Sequence, residues 1–231
     1  MMTHPMALTT VAAPALAAIV IGSRLLRRAF ARTAVLPEEV MLAVAWVFVV
    51  GSLVWLEVFL SGSTLLGFGA PWTWLAAAHF AAAGFGALTV TALSCRAVSN
   101  ARALRVLRAL LFVHPVAYLV IAAGISDVPY CDEIGATLYA GLFAAQLGAV
   151  AFGRADRVAR GPRALLLVAL SVPLWTMIPA LAWAWGAPLF DLSGMVRYHG
   201  LVNAAGHVGL GLIAFWWERP PAHADLVSSS R

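Results

Sequence analysis

Seven long apolar runs, separated by short polar segments, constrain what this 231-residue chain can fold into. A stretch of about 20 apolar residues crosses the hydrocarbon core of a bilayer as a helix. We predict seven such helices, at residues 6–23, 40–61, 71–95, 109–126, 133–152, 164–186 and 195–217. Charged residues make up 11% of the chain, whereas soluble domains carry about 25%. The sequence therefore predicts an all-α, seven-span helix bundle over residues 1–217, located in the cell membrane.

The basic residues predict the orientation of this bundle. All fifteen are arginines, and twelve follow predicted helices 1, 3 and 5, at positions 24, 27, 28, 32, 96, 102, 105, 108, 154, 157, 160 and 163. The connections after helices 2, 4 and 6 contain no arginine, and acidic residues occur after helices 4 and 6. The positive-inside rule then places the N-terminus outside and the C-terminus in the cytoplasm. Cys131 and Cys95 fall at opposite faces, too far apart for a disulfide.

The two ends of the chain allow further expectations. The first apolar run is short and contains Pro14, so a signal peptide is the alternative to a retained span. Its arginines follow the apolar run instead of preceding it, which favours a retained span. Residues 218–231 are polar and contain prolines, and predict a short, disordered cytoplasmic tail.

The net charge of +5 follows from membrane topology, so we expect no nucleic-acid partner. The sequence leaves the oligomeric state open.

Polar residues of several helices fall at one predicted depth. Glu57 lies four residues from the outer end of helix 2, and His79 lies eight residues into helix 3. His199 and Asn203 lie four and eight residues into helix 7, in one stripe with His207. At about 1.5 Å per residue, these groups share a slab roughly 6–12 Å below the outer surface. Because ionisable groups in hydrocarbon usually face a cavity, the slab predicts a site made of Glu57, His79, His199 and Asn203.

Each of these residues also has a purely structural interpretation. Glu57 can be solvated near the interface or paired with Arg197. His79 can bond a neighbouring carbonyl in its tightly packed helix. His199 and Asn203 can form a hydrogen-bonded clamp between helices, a contact that contributes about 1 kcal/mol in membranes.

Further residues complete the predicted site or lie outside it. His114, which precedes Pro115, is expected near the inner face in an interfacial or proline-related role. Pro173 and Pro179 predict that helix 6 is kinked or locally unwound. The expected substrate contacts are Trp55, Asp127, Tyr139, Trp175, Arg197, Tyr198 and His207.

Two short motifs, HF with a following AGF at residues 79–85 and YHGLVNAAG at residues 198–206, resemble those of the YndJ-like membrane proteins. His79-Phe80, followed by Ala83-Gly84-Phe85, is similar to a family motif of the form HFHYAGF, with Ala81 where the family has a second histidine. Residues 198–206, YHGLVNAAG, resemble the family's HGxxNAxGF, with His207 in place of the final aromatic residue. The resemblance covers helices 2 to 7. It implies a multi-span fold with a shared polar site more than a particular reaction.

Acid–base catalysis without a cofactor fits this set of residues best. Such catalysis needs a proton donor and a proton acceptor whose environments separate their pKa values. A carboxyl group at Glu57 and a histidine can form this pair, while Asn203 and a tyrosine steady a developing oxyanion. The expected reaction is a cyclisation, isomerisation or epoxide opening on a lipophilic polyketide- or terpenoid-like molecule. We predict a lipophilic small-molecule substrate and membrane lipid as partners, and no bound metal.

Other functions stay open at this stage. A transporter or ligand-binding protein is favoured by the prolines of helix 6, although the chain has no repeated halves. A metal-dependent hydrolase using His79, His199 and Glu57 is also conceivable, although the chain has no HExxH or HxxxH motif. A haem protein with histidine axial ligands fits less well, because His114 and His207 differ in predicted depth.

Overall fold

Seven spanning helices make up most of the computed structural model, which describes residues 5–32 and 34–223, with the side chains from residue 10 onward. They are α1 (Pro5–Phe30), α2 (Pro37–Leu60), α3 (Trp72–Ala97), α4 (Ala101–Ile125), α5 (Cys131–Phe152), α6 (Arg160–Ala184) and α7 (Leu192–Trp217). Each is long and apolar enough to cross a membrane. The predicted all-α fold with seven spans is confirmed.

The helices extend beyond the apolar runs into the arginine-rich segments. α1 continues to Phe30, seven residues past its predicted end, and α4 begins at Ala101, eight residues before the predicted start. The Asn100 side chain caps α4 by accepting hydrogen bonds from the backbone N–H groups of Arg102 and Ala103, at 2.9 and 3.0 Å. Because arginine favours helix and Asn is a strong N-cap, the helix starts at the cap and not at the first apolar residue.

The chain divides into two compact units, which are described separately. Residues 1–89 form the first unit, with α1, α2 and the first part of α3. Residues 90–231 form the second unit, with the end of α3 and helices α4 to α7. The boundary falls within α3, which is helical across it.

Small residues let α2 and α3 pack closely in the first unit. A Cβ atom at Gly84 would lie 2.9 Å from the Cβ atom of Phe48, and Ser52 donates a hydrogen bond of 2.8 Å to the Ala77 carbonyl. Trp46 and Phe85 pack edge to face, with their ring centroids 5.2 Å apart. Close approach through small residues is a general device of membrane helices, and it agrees with the alanine- and glycine-rich sequence of α3.

Helices α4 and α5 form a similarly close pair in the second unit. Gly135 of α5 faces Ile121 of α4, and a Cβ atom added there would lie 2.6 Å from the Ile121 Cγ1 atom and 2.9 Å from its backbone nitrogen. Gly141, on the same helix, has open space where its Cβ would point. Replacing each of these two glycines by alanine therefore distinguishes an effect of packing from an effect of helix propensity.

We expect Gly135→Ala to lower the free energy of unfolding and Gly141→Ala to leave it unchanged or raise it. Overpacking costs about 1–3 kcal/mol, which exceeds the gain of about 1 kcal/mol from replacing a helical glycine by alanine. Unfolding of both purified variants in mixed micelles measures the difference. Equal stability of the two variants would contradict the close contact between α4 and α5.

The segment after α7 is held in place as far as the structure describes it. The Glu218 carboxylate accepts a 3.0 Å hydrogen bond from the Ala159 backbone N–H, and an Arg157 guanidinium N–H donates to the Pro221 carbonyl at 2.7 Å. The His223 ring contacts Arg157 and the Cys95 carbonyl. These contacts hold residues 218–223, and the expectation of a disordered tail stays a prediction. Residues 224–231 lie outside the described residues.

Candidate functional site

The seventh helix, which carries the polar stripe, has a fixed beginning. The Asp191 carboxylate accepts hydrogen bonds from the Gly194 backbone N–H at 2.7 Å and from the Ser193 hydroxyl at 3.0 Å. The Gly194 bond, then the Ser193 bond and the nearby Arg197 charge, hold the pKa of Asp191 below its usual range. This N-cap sets the register of α7, and with it the positions of the histidines that follow.

Both family-like motifs lie on π-helical segments, in which backbone hydrogen bonds join residues five apart. One such segment, Phe80–Gly86, interrupts α3. Two more, Met195–Leu201 and Asn203–Gly209, follow each other in α7. π-Helical turns are rare and are frequent at functional sites. Local backbone geometry thus marks the same stretches of α3 and α7 that the sequence motifs selected.

His199 reaches from α7 to α6 through one ring nitrogen. Its Nδ1 atom lies 2.8 Å from the Thr176 backbone carbonyl oxygen. A carbonyl oxygen only accepts hydrogen bonds, so Nδ1 carries the proton and donates it. In the neutral imidazole this leaves Nε2 as the basic nitrogen, free to accept a proton. The contact therefore fixes both the orientation of the ring and its tautomer.

Asn203 is anchored to the same residue of α6. The Thr176 hydroxyl has one proton and two acceptors within reach: Asn203 Oδ1 at 2.8 Å and the Val172 carbonyl at 3.3 Å. The shorter distance assigns the proton to Asn203 Oδ1. The Asn203 amide nitrogen lies 3.4 Å from His199 Nδ1, and since Nδ1 already donates to Thr176, the amide N–H groups stay available as donors. The amide is thereby held with its N–H side next to the imidazole.

The third member of the stripe, His207, contacts a backbone carbonyl of α6 that a proline leaves without its helical hydrogen bond. Pro173 has no N–H to offer the Ala169 carbonyl, its partner in a regular helix. His207 Nδ1 lies 3.2 Å from that carbonyl and supplies the missing donor. α6 is helical from Arg160 to Ala184, so the local unwinding predicted from its prolines is not observed. His199, Asn203 and His207 all face α6, as their spacing predicts.

We expect the His207 and Pro173 substitutions to be coupled. His207→Phe should lower the free energy of unfolding by about 1 kcal/mol, as an interhelical hydrogen bond in a membrane protein contributes about 0.6 kcal/mol on average and about 1.7 kcal/mol at most. In a Pro173→Ala background the backbone N–H gained at this position can bond the Ala169 carbonyl itself, so His207→Phe should cost less. A double-mutant cycle from unfolding measurements gives the coupling. Strictly additive effects would show that the imidazole does not serve this carbonyl.

A row of buried rings runs from His207 through the second unit. His207 packs edge to face on Phe143, Phe143 stacks on Tyr139, and Tyr139 contacts His114, with centroid distances of 5.1, 5.6 and 5.3 Å. His114 is completely buried, thirteen residues after the first residue of α4. It therefore packs among rings inside its unit, and its expected depth near the inner face stays a prediction.

Two further polar residues of the second unit escaped the sequence analysis. Gln146 is completely buried on α5, and its amide lies 3.4 Å from the Ser94 hydroxyl. Thr176 holds both His199 and Asn203. Two sequence signals could have pointed to these residues. Thr176 lies three residues before Pro179, and Gln146 lies in an apolar run.

The remaining predicted catalytic residues belong to the first unit. Ser52 donates a hydrogen bond to the Ala77 carbonyl, and Gly51 lies against the Phe80 ring. Because α2 and α3 run antiparallel, Glu57 lies at about the same height along this helix pair as Thr73. Glu57 Oε2 and Thr73 Oγ1 are both buried and have no hydrogen-bond partner among the described residues. His79 is half-buried, about one and a half turns further along. This part of the first unit therefore holds a carboxylate oxygen and a hydroxyl that are both shielded and unsatisfied.

The structure places the predicted substrate contacts in different surroundings. Tyr139 is buried, and Trp55 is half-buried beside Phe68, with ring centroids 6.5 Å apart. Tyr198 is exposed and packs against Phe190 at 4.9 Å. Asp127 and Arg197 are exposed. Trp175 is 72% exposed, so it does not lie in an enclosed pocket of its unit.

Potential metal ligands do not converge in the part of the chain that the structure describes. No three His, Cys, Asp or Glu side chains come together there in a way that could hold a metal ion. The groups that include predicted site residues are the His199–Asn203–Thr176 group and the buried ring row in the second unit, and Glu57 near Thr73 in the first.

The fold and these clusters define a multi-pass helical membrane protein with polar groups buried in its spans. A family model described as YndJ-like protein matches residues 1–207, which include both motifs. The chain belongs to the YndJ-like family. No curated protein and no solved structure matches it.

Proposed function

We propose that this protein is an integral membrane enzyme that performs acid–base chemistry on a lipophilic small molecule. The observation that carries the proposal is the 2.8 Å contact from His199 Nδ1 to the Thr176 carbonyl. It leaves Nε2 as a proton acceptor in a fixed orientation, which is what a general base requires.

The neighbouring amide supplies the second element of such chemistry. Asn203 is held through its oxygen, so its N–H groups are preorganised as donors for an oxygen that gains negative charge. His199 would accept a proton, and Asn203, one turn further along α7, would donate hydrogen bonds to an oxyanion. This combination suits an enolisation, a cyclisation or the opening of an epoxide. Enolisation, cyclisation and intramolecular epoxide opening move protons and electron pairs within the substrate, and opening by water adds one water molecule. None of them needs an oxidant or a reductant.

The substrate class follows from where the pair lies. His199 and Asn203 are half-buried within a spanning helix, so a molecule reaching them from the bilayer must be lipophilic. A polyketide- or terpenoid-like metabolite combines a greasy body with carbonyl, hydroxyl or epoxide oxygens for Asn203 to bind. Glu57, in the first unit, is a separate candidate for proton transfer, because its Oε2 atom is buried without a partner among the described residues.

Comparison of lipophilic extracts from cells that express the wild-type chain, the His199→Ala variant or no copy tests this proposal. We expect one compound to accumulate without the active protein and an isomer of identical mass, or its hydration product, to replace it when the wild-type chain is present. A compound that changes only its distribution between cells and medium would indicate transport and contradict the proposal.

A further inference from the structure

The first unit contains a groove between α1 and α2, away from the Glu57–Thr73 level. Its volume is about 330 Å³, at the small end of the roughly 300–1,000 Å³ typical of ligand pockets. Its walls come from two turns of α1 and two turns of α2, including Ile19, Gly22, Ser23, Trp46 and Val47. Ser23 contributes the only hydroxyl group among the residues that line it.

The groove exists because the helices touch at one point and diverge beside it. A Cβ atom at Gly22 would lie 3.0 Å from the Trp46 Cβ atom, so this glycine allows the close contact. On the open side, Ile19 is 52% and Val47 67% exposed. In a spanning helix pair these side chains face the acyl chains of the bilayer, so the occupant must be apolar along this length.

Three exposed arginines lie at one end of the groove. Ile19, Ser23 and Arg27 follow each other at intervals of four residues, so Arg27 lies on the lining face of α1, one turn beyond Ser23. Arg24 and Arg28 flank that face, and all three arginines are exposed.

The acidic residues at this end are buried, whereas the three arginines are exposed. Glu38 and Glu39, at the start of α2, are buried, and Glu39 pairs with Arg32 at 3.8 Å. The exposed surface at the mouth of the groove is therefore cationic, while the groove itself is apolar.

We propose that this groove is a binding site for an anionic phospholipid. One acyl chain lies in the groove against Gly22 and Val47, and the phosphate group contacts Arg27. A neutral lipid and a wholly apolar peptide helix both lack the negative charge, whereas an anionic phospholipid joins an apolar chain to a negative charge. The site is independent of the proposed chemistry of His199.

Native mass spectrometry of the purified full-length protein tests the proposal, with phosphatidylglycerol and phosphatidylcholine of identical acyl chains added in equal amounts. We expect the wild type to retain phosphatidylglycerol in preference. Arg27→Gln should reduce that preference roughly five-fold, the usual effect of one arginine at a charged membrane surface. Arg105→Gln, which removes an exposed arginine of the second unit, is the control and should not change it.

The apolar part of the site is tested in the same spectra. Val47→Trp fills the groove and should remove both bound lipids, whereas Val54→Trp, an exposed valine of α2 outside the groove, should bind them as the wild type does. Circular dichroism verifies that each variant is folded. Equal retention of the two lipids by the wild type, unchanged binding by Val47→Trp, or a protein dimer that carries no lipid would overturn the proposal.

Discussion

Replacement of His199 by alanine is expected to lower turnover of the lipophilic substrate by about 10²–10⁴-fold, the usual contribution of a positioned general base. The physical reason is the loss of Nε2, the nitrogen that the Thr176 contact leaves free to take a proton. The rate of product formation per folded protein, measured in membranes at fixed substrate concentration, gives the size of the effect.

A structural clamp would give a different result for the same variant. Losing one interhelical hydrogen bond costs about 1 kcal/mol of stability, which lowers the amount of folded protein without changing the rate per folded molecule. Thr176→Val is the matched variant, because it keeps the backbone carbonyl that orients His199 and removes the hydroxyl that anchors Asn203. It should lower the rate less than His199→Ala does. Full specific activity of the His199→Ala variant would contradict a role as general base and show that His199 serves only in helix packing.

Glu57→Gln is expected to have the second-largest effect on turnover. Glutamine keeps the shape of the side chain but cannot release or take up a proton, so a proton donor at this position would be lost. We expect a loss within the same range of about 10²–10⁴-fold, with folding and substrate binding retained. Glu133→Gln, at the beginning of α5, is the control and should leave the rate unchanged. Wild-type activity in Glu57→Gln would remove this carboxyl group from the chemistry.

The sequence predicted the spans well because their physical cause is local. A helix in hydrocarbon must be apolar over about 20 residues, and this requirement can be read without knowledge of the fold. The ends of the helices were less predictable. Asn100 begins α4 as a cap outside the apolar run, so the arginines beyond that run are helical too, and His114 lies near the middle of the helix.

The candidate site was predictable where one helix face determined it. The spacing of His199, Asn203 and His207 predicted a common direction, and all three contact α6. Their partners were not predictable, because Thr176 and the Ala169 carbonyl belong to another helix and are selected by its packing. The π-helical segments escaped prediction for a similar reason, since their geometry depends on tertiary contacts more than on propensity.

Incubation of the purified protein alone with its substrate, in D₂O and without added nucleotide, metal ion or other cofactor, tests the central claim most directly. The substrate is the compound that accumulates in cells without the active protein. We expect conversion by the wild type, with solvent deuterium entering the product at the position where a proton is added, and no conversion by His199→Ala. No conversion by the purified wild type, or an equal rate with His199→Ala, would contradict the assignment of His199 as the base.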